Sequence, residues 1–323
     1  MIKWGVLGTA GIAKGCTIPG MQLASNCELT AIAGRSLEKA EQFQKEFGFE
    51  KAYGSYEELL ADPDVQAVYI PLPNELHYEW TIKALKAGKH VLCEKPLAPT
   101  EKEIEEMFRT AKENNVYLME AFAYLHSPIV SAIKEELDNG TIGEIRYMEN
   151  AFLTSDYDMS NIRMRKETFG GSTYDLGCYC TSQILWMMGQ EPKTVQAVAD
   201  FSQEGIDKLT TGFMVFESGA RASFTCGMTL ETEKDYRIDR LQIFGTKGKI
   251  VSDVAFNQEG KCDYTICIDG KKITKTVTAP QNYALEVEQL GKCITGEETP
   301  CVSEDFSLKN VRILERILKQ IGY

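Results

Sequence analysis

The sequence predicts a two-domain α/β protein, in which a doubly wound parallel sheet is followed by an α+β domain built on an open, mainly antiparallel sheet. Its 323 residues suit two domains of about 150 residues each. Over roughly the first 120 residues, short β-branched runs alternate with amphipathic helical stretches, which is the βαβ pattern of a parallel sheet. From Thr194 to Thr278, strand patterns follow one another without helices, which predicts antiparallel pairing.

The first predicted domain covers residues 1–122. Its strands are short runs rich in β-branched and other apolar residues, and its helices show the periodic apolar pattern of one buried face. Asp62-Pro63 and Gly88 mark two of the turns between them. The predicted strands are Ile2–Leu7, Glu28–Ala33, Ala67–Ile70, His90–Cys93 and Val116–Met119. The predicted helices are Ile12–Gln22, Leu37–Phe47, Glu57–Leu60, Leu76–Ala87 and Glu101–Asn114.

The second predicted domain covers residues 123–323, and we allow its terminal helix to pack back on the first domain. Because one face of an open sheet is uncovered, we expect a homodimer or homotetramer that forms through this sheet. A polar loop is predicted over Thr154–Thr168. The predicted helices are Ile129–Leu137, Ser172–Met188, Tyr283–Ile294 and Glu304–Ile321. The predicted strands are Ile145–Phe152, Val195–Phe201, Thr211–Phe216, Arg221–Cys226, Arg240–Phe244, Lys249–Val254, Tyr264–Ile268 and Lys271–Val277.

The composition argues against several classes of function. Lys and Arg number 35 against 47 Asp and Glu, a formal charge of −12, and no basic run exceeds Lys271-Lys272, so we expect no nucleic-acid partner. No stretch approaches the length of an apolar membrane span, and no signal-peptide pattern precedes the first strand, so we expect a cytoplasmic protein without a membrane partner. The ten cysteines include no Cys-x-x-Cys motif, and the three histidines lack ligand spacing, so we expect no metal site.

A glycine-containing turn joins the first strand to the first helix. In Gly8-Thr9-Ala10-Gly11-Ile12, the start of the helix offers backbone N–H groups and the positive end of its dipole, which suits a pyrophosphate. Gly8 fits the tight turn of a dinucleotide-binding loop, whereas Ala10 occupies the position where the backbone approaches phosphate, and Gly11 compensates for it. The alternative is a turn that needs glycine for its conformation alone. The position of the loop in the first βαβ unit favours a Rossmann domain.

The residues after the second strand indicate which dinucleotide binds. An NAD enzyme carries an acidic residue there, which accepts a hydrogen bond from the ribose 2′-hydroxyl. Here Arg35 and Ser36 occupy this place, and no carboxylate occurs before Glu38. Because a guanidinium and a hydroxyl suit a 2′-phosphate, NADP(H) is favoured over NAD(H). The alternative is an exposed arginine at the start of a helix whose N-cap is Ser36.

A proline-rich loop follows the Ala67–Ile70 strand, at the sheet edge where doubly wound folds bind ligands. Its residues Pro71, Leu72 and Asn74 could line the nicotinamide ribose, and Asn74 is also predicted to cap the next helix. The prolines and this cap are by themselves a sufficient structural reason for the loop. We predict that His77 is an exposed or capping residue near the cofactor rather than a catalyst.

The segment Glu94-Lys95-Pro96 follows the His90–Cys93 strand and places a charged amine at the same edge. A lysine there can lower the pKa of a neighbour or hold a hydroxyl oxygen. The proline stiffens the turn, and a cis bond is one way in which it can do so. The alternative for Lys95 is an ordinary surface lysine.

Taken together, these segments resemble the glucose–fructose oxidoreductase, inositol dehydrogenase and MocA family (Gfo/Idh/MocA). The matching features are the Gly8 loop, Pro71-Leu72-Pro73-Asn74, Glu94-Lys95-Pro96 and Gly170-Gly171-Ser172-Thr173-Tyr174-Asp175-Leu176-Gly177-Cys178-Tyr179. The resemblance implies a nicotinamide-dependent oxidoreductase that acts on CH–OH groups of sugars, polyols or related alcohols. Within the family, Arg35, Tyr179 and the segment from Met119 to Tyr124 are similar to dihydrodiol dehydrogenase and NADP-linked xylose dehydrogenase. Leu125, where that branch often has arginine, and His126 leave the substrate open.

The resemblance also implies roles for four side chains, Lys95, Arg163, Asp175 and Tyr179. Asp175 and Tyr179 are four residues apart in a predicted helix, so that one helix face presents both. Tyr179 would exchange a proton with the substrate hydroxyl, and the ammonium of Lys95 would lower the phenol pKa from its ordinary value of roughly 10. Asp175 would accept a hydrogen bond from a substrate hydroxyl or fix the position of Lys95. Arg163 would bind a substrate hydroxyl or carboxylate. The alternatives are a core tyrosine, an aspartate that only forms a pair along the helix, and a solvated loop arginine.

Two other functions compete with a dehydrogenase on this fold. A non-catalytic, dinucleotide-sensing regulatory protein would have lost Lys95 or Tyr179, and both are present. A reductase of an imine or an enone would lack the Asp175 and Tyr179 pair. We therefore expect an NAD(P)-dependent dehydrogenase or reductase, with its substrate, direction and oligomer size open.

Overall fold

The structure is a computed structural model that describes residues 1–155, 157–230, 237–253 and 256–323. The chain forms two compact units. The first contains Met1–His126 and Pro280–Leu308, and the second contains Ser127–Ala279 and Lys309–Tyr323. The chain therefore returns to the first unit at Pro280, so each unit consists of two separate segments of the chain. Within the described ranges, no helix is long and apolar enough to cross a membrane.

A sheet of six parallel strands forms the centre of the first unit, as the βαβ pattern predicts. The strands are β1 (Ile2–Leu7), β2 (Cys27–Ala33), β3 (Lys51–Tyr53), β4 (Ala67–Ile70), β5 (His90–Glu94) and β6 (Leu118–Ala121). Their order is β3-β2-β1-β4-β5-β6, so the direction of winding reverses between β1 and β4, where such sheets bind ligands. The prediction omitted β3 because three residues are too few to show a periodic pattern.

Five helices connect these strands, and side-chain caps fix where three of them begin. They are α1 (Ile18–Leu23), α2 (Leu37–Phe47), α3 (Tyr56–Ala61), α4 (Asn74–Lys86) and α5 (Glu101–Glu113). The hydroxyls of Ser36, Ser55 and Thr100 accept the backbone N–H three residues further on, at the starts of α2, α3 and α5. A wider helical turn, Ala13–Thr17, leads into α1, and a short 3₁₀ turn, Ala123–His126, follows β6.

The second unit contains a sheet of eight strands. They are β7 (Ile145–Ser155), β8 (Thr194–Phe201), β9 (Asp207–Val215), β10 (Arg221–Leu230), β11 (Arg237–Gly245), β12 (Gly248–Ser252), β13 (Gly260–Ile268) and β14 (Lys271–Ala279). Their order is β14-β13-β12-β11-β7-β10-β9-β8, and only β7 and β10 pair in parallel among these strands, which confirms a mainly antiparallel sheet.

Differences from the predicted elements of this unit are small. Thr154 and Ser155, predicted as loop, extend β7, because they pair with β10 and β11. Two predicted positions, Asp156 in the polar loop and Val254 at the end of a strand, lie outside the described residues.

Helices pack against one face of the second sheet. α6 (Pro128–Asp138) contacts β13 and β14, and α7 (Cys178–Met188) contacts β7 and β10. The predicted helix Ser172–Met188 begins with a wider helical turn, Thr173–Gly177, which leads directly into α7. The opposite face carries exposed apolar side chains: Val198 on β8 is 73% exposed, and Phe213 on β9 is 43% exposed.

The last two helices are divided between the units. α8 (Asn282–Ile294) packs on α1 within the first unit, at a point where a Cβ on Gly20 would lie 2.8 Å from the backbone nitrogen of Ala284. α9 (Glu304–Ile321) begins in the first unit and ends in the second.

Candidate active site

The glycine loop follows β1 at the predicted place. Gly8 has a φ of +126° and donates its N–H to Ala33 O (2.9 Å), and a Cβ there would lie 3.0 Å from Leu72 Cδ2. Both the conformation and the close approach therefore require glycine. The helix begins within this loop, where Lys14 N–H donates to Ala10 O, so its earlier N–H groups lack a partner within the helix. A Cβ on Gly11 would meet no atom within 4 Å, which leaves space for a phosphate beside these N–H groups.

Arg35 and Ser36 have different surroundings at the end of β2. The Arg35 side chain is exposed. Burial raises the pKa of Tyr56, and the positive charge of Arg35 acts on that pKa in the opposite direction. A Cβ on Gly34, the residue before Arg35, would lie 3.4 Å from Thr9 Cγ2, so the chain reaches Arg35 beside the glycine loop. The Ser36 hydroxyl is the N-cap of α2, since it accepts Lys39 N–H at 3.4 Å. That bond leaves the hydroxyl proton of Ser36 available to a ligand.

Two expectations for the loop after β4 are wrong. Asn74 is the first residue of α4 rather than its cap, because the N-cap position belongs to Pro73, which has no side-chain donor or acceptor. His77 is fully buried instead of exposed: its Nδ1 lies 2.9 Å from Pro96 O, and its Nε2 lies 2.8 Å from Leu72 O. His77 thus joins the two loops that follow β4 and β5. Burial lowers the pKa of His77, and a neutral ring donates to only one of these carbonyls.

The end of β5 carries the predicted Glu94 and Lys95. Glu94 is buried, and its Oε1 accepts the Tyr69 hydroxyl at 2.6 Å, which in turn accepts the Thr17 hydroxyl at 2.9 Å. The other carboxylate oxygen accepts Lys95 N–H at 3.3 Å. The Lys95 side chain is half-buried, which differs from an ordinary surface lysine, and the Lys95–Pro96 bond is cis.

Sequence reasoning missed the buried Glu120, the third residue of β6. Its Oε1 accepts Leu97 N–H at 3.0 Å, and its Oε2 accepts the Ser307 hydroxyl at 2.6 Å. A carboxylate among the apolar residues Leu118, Met119 and Ala121 of a buried strand was the available signal.

In the second unit, Arg163 and Asp175 form an ion pair, with Arg163 Nε 2.7 Å from Asp175 Oδ2. The Arg163 guanidinium also lies 5.1 Å from the centre of the Tyr157 ring. The Asp175 carboxylate is the main reason that the pKa of Arg163 is raised. In this pair the Asp175 side chain keeps 12% of its surface exposed. Arg163 is bound to Asp175, so it is not a freely solvated loop charge.

Tyr179 lies one helical turn beyond Asp175, at the start of α7, and is 8% exposed. Its ring packs edge-on against Phe152 and Phe256, with centroids 5.4 and 5.3 Å away. Asn257 Nδ2 lies 3.5 Å from the Tyr179 hydroxyl, at the outer limit of a hydrogen bond. Apolar contacts therefore hold the Tyr179 ring, while the Tyr179 hydroxyl lies next to the polar side chain of Asn257.

The turn before this helix depends on two glycines and on a second buried carboxylate that sequence reasoning missed. A Cβ on Gly170 would lie 2.4 Å from Arg163 O, and one on Gly171 would lie 2.0 Å from Asp207 Oδ1. Asp207 Oδ2 accepts four hydrogen bonds of 2.7–2.9 Å, from Ser172 Oγ, Thr173 N, Thr173 Oγ1 and Thr210 Oγ1. Asp207 thus fixes the segment that carries Asp175 and Tyr179.

A Rossmann sheet with open space at its glycine loop, and a second unit that presents a carboxylate and a phenol on one helix, are the features expected of a nicotinamide-dependent oxidoreductase. Residues 2–122 match the model of an oxidoreductase family with an NAD-binding Rossmann fold, and residues 130–251 match the GFO/IDH/MocA C-terminal domain. The chain therefore belongs to the GFO/IDH/MocA oxidoreductase family. This confirms the predicted family, fold class and enzyme class, and it favours catalysis over a purely regulatory role.

Relatives of known activity are similar over almost the whole chain. D-xylose 1-dehydrogenase (NADP(+)) 2 of Haloferax volcanii is 33% identical over 98% of this chain and 96% of its own. Trans-1,2-dihydrobenzene-1,2-diol dehydrogenase of Xenopus tropicalis is 30% identical over 99% and 98%. Among solved structures, a 3-ketoreductase from Actinomadura kijaniata in complex with NADP and TDP-benzene superposes with a TM-score of 0.90, at 29% identity over 99% of this chain and 97% of that chain.

Proposed function

We propose that the protein transfers a hydride between NADP(H) and a CH–OH group of a sugar, a polyol or a dihydrodiol. The observation that carries this proposal is the placement of Asp175 and Tyr179 one helical turn apart, with Asp175 held by Arg163 at 2.7 Å. A carboxylate that accepts a hydroxyl and a phenol that exchanges a proton suit a substrate with two neighbouring hydroxyl groups. The xylose and dihydrodiol dehydrogenases named above act on such substrates, which supports this class.

Residues of the first unit would hold the cofactor. Gly8, Thr9, Ala10, Gly11 and Ile12 would bind the pyrophosphate through backbone N–H groups. Arg35 and the Ser36 hydroxyl would bind the 2′-phosphate. The side chains expected near the nicotinamide are Pro71, Leu72, Asn74, His77, Glu94 and Lys95. Because His77 is buried with both ring nitrogens on protein carbonyls, we assign it an indirect role, in which it supports the two loops.

The nicotinamide supplies or accepts the hydride when the cofactor is bound. The chain's own residues manage the proton. In oxidation, Tyr179 takes the proton of the substrate hydroxyl as a phenolate, and in reduction the phenol returns it to the alkoxide oxygen. The Lys95 ammonium stabilises the negative charge, whether the Tyr179 oxygen or the substrate oxygen carries it. Asp175, held in place by its Arg163 partner, accepts a hydrogen bond from a second substrate hydroxyl and so orients the reacting carbon.

The test is a screen of NADPH oxidation and NADP⁺ reduction with aldoses, polyols and dihydrodiols. Activity should fall by about 10²-fold or more in Tyr179→Phe, the size of a lost proton-transfer group, and by a similar factor in Lys95→Met, the size of a lost group that stabilises charge, with NADPH affinity nearly unchanged. Tyr174→Phe is the matched control, since Tyr174 lies in the same helical segment and its ring packs on Phe169 and Tyr323. A loss of NADPH binding in the first two variants would mean that those residues hold the cofactor instead, and no binding of either dinucleotide to the parent protein would contradict the proposal.

We further propose a homodimer or homotetramer that forms through the uncovered face of the second sheet. Val198 and Phe213 lie on this face, because Phe213 pairs with Gln196, two residues from Val198 on β8. Light scattering after gel filtration should give at least twice the monomer mass. The double variant V198E/F213E should reduce the measured mass to that of one monomer, since each new carboxylate would be buried in the interface.

We also propose that the protein is cytoplasmic, where its ten free cysteines would stay reduced.

A further inference from the structure

The peptide group between Pro96 and Leu97 is bound at both of its ends. Its carbonyl oxygen lies 2.9 Å from Nδ1 of His77, and its N–H donates to Oε1 of Glu120 at 3.0 Å. This peptide follows Lys95 by one residue, so two buried side chains from α4 and β6 fix the backbone from which Lys95 extends.

Glu120 is itself held in one position. It is 2% exposed, and its second carboxylate oxygen accepts the hydroxyl of Ser307, from the first turn of α9, at 2.6 Å. Ser307 is also buried. Each oxygen of the carboxylate therefore has one protein donor, and burial leaves neither of them to solvent.

Three titratable groups from β5 and the turn after it interact electrostatically with Glu120. Cys93 is its partner across the sheet, and Glu94 and Lys95 follow. From α9 it meets the neutral hydroxyl of Ser307. Burial raises the pKa of Glu120 to about 7, while the Lys95 ammonium and both hydrogen bonds act in the opposite direction. Lys95 and Glu120 are thus coupled by their charges as well as through the backbone.

We propose that Glu120 is a positioning residue for Lys95, which fixes the backbone of its turn and holds its ammonium by charge. This proposal rests on the function proposed above, in which Lys95 stabilises the negative oxygen. When Glu120 takes up a proton, the Ser307 hydroxyl can rotate and accept it, so the hydrogen-bonded frame survives and only the charge is lost. The ionised form of Glu120 is the one that supports turnover.

A titration by NMR tests this without any turnover. With labelled Glu carboxyl carbons and backbone amides, the Glu120 carboxyl and the Leu97 amide should titrate together near neutral pH. Both changes should disappear in Glu120→Gln, and Lys95→Met should raise their midpoint, because a nearby positive charge is gone. Glu113→Gln, an exposed residue at the end of α5, should leave them unchanged. A Leu97 amide that does not titrate, or that still titrates in Glu120→Gln, would overturn the coupling.

Kinetics test the consequence. In the parent enzyme, kcat should fall as the pH drops below neutrality. In Glu120→Gln it should be about tenfold lower at neutral pH and should lack this dependence, with NADPH affinity changed less than about twofold. A Glu120→Gln profile that matches the parent would show that Glu120 is only structural. An inactive parent would contradict the proposed function alone, and the NMR titration would still decide the role of Glu120.

Discussion

Arg163 and Asp175 form a 2.7 Å ion pair that joins a loop before the Gly170-Gly171 turn to the helical segment after it. The pair brings a positive charge to the carboxylate that lies one helical turn before Tyr179. The direction of the Asp175 carboxylate is thus fixed by a partner that the helix itself does not supply, which supports its proposed role as an acceptor of a hydrogen bond from a substrate hydroxyl.

Replacing Arg163 should therefore weaken substrate binding more than the chemical step. In Arg163→Gln we expect kcat/KM to fall by about tenfold, chiefly through a higher KM, because one charge-assisted hydrogen bond that orients Asp175 is lost. Steady-state kinetics with the substrate found in the screen will measure this. Arg165→Gln is the matched control, since Arg165 is exposed in the same loop. Equal losses in both variants would mean that the loop charge, rather than the pair, matters.

Arg35 should decide between the two dinucleotides. Arg35→Ala should weaken NADPH binding by about 10- to 100-fold, the size of a charge-assisted contact, and should leave NADH binding within about twofold. Titrations followed by nicotinamide fluorescence measure both. Lys39→Ala, on the same exposed helix start, provides the control for a general charge effect. A parallel loss of NADPH and NADH would indicate that Arg35 contacts the adenine rather than the 2′-phosphate.

Asp207 should stabilise the second unit. Asp207→Ala removes the acceptor of four buried hydrogen bonds, and we expect the free energy of unfolding to fall by about 3 kcal/mol or more. Urea denaturation followed by circular dichroism measures the change. Asp200→Ala, an exposed carboxylate on β8, should have little effect. A small loss in Asp207→Ala would show that water replaces the carboxylate.

The buried carboxyl of Glu120 should make stability depend on pH. Its pKa is raised to about 7 in the folded protein, so between its ordinary value of 4.5 and about 7 the folded state binds more protons than the unfolded state. The free energy of unfolding should therefore fall as the pH rises through this window and level off above it, by an amount on the order of 3 kcal/mol for this group.

Urea denaturation of the parent protein and of Glu120→Gln, at several pH values from about 5 to 8, isolates this contribution. The free energy of unfolding of the parent, relative to that of Glu120→Gln, should fall as the pH rises through this window. A constant difference would mean that Glu120 does not change its protonation in the window. Glu113→Gln should follow the parent at every pH, because Glu113 is exposed.

The residues of the proposed site that sequence reasoning found are those whose position follows from local rules. A glycine turn after a first strand, an arginine after the second and a lysine after another strand of a parallel sheet must all reach one edge of that sheet, because parallel strands end there together. Asp175 and Tyr179 share a helix face because of their spacing alone. Arg35 and Lys95 could be singled out on these grounds before any coordinates, whereas the roles expected of Asp175 and Tyr179 also needed the resemblance to the family.

The sequence by itself thus determined the two kinds of sheet, the family and the class of enzyme. Only the tertiary structure decided which side chains are buried and what they contact. His77 is inside rather than exposed, and Glu120 and Asp207 hold the segments that carry Lys95 and Tyr179. Their partners are distant in the chain, with Ser307 187 residues after Glu120. Such contacts depend on how elements pack, and a pattern that repeats every two or every three to four residues contains no information about them.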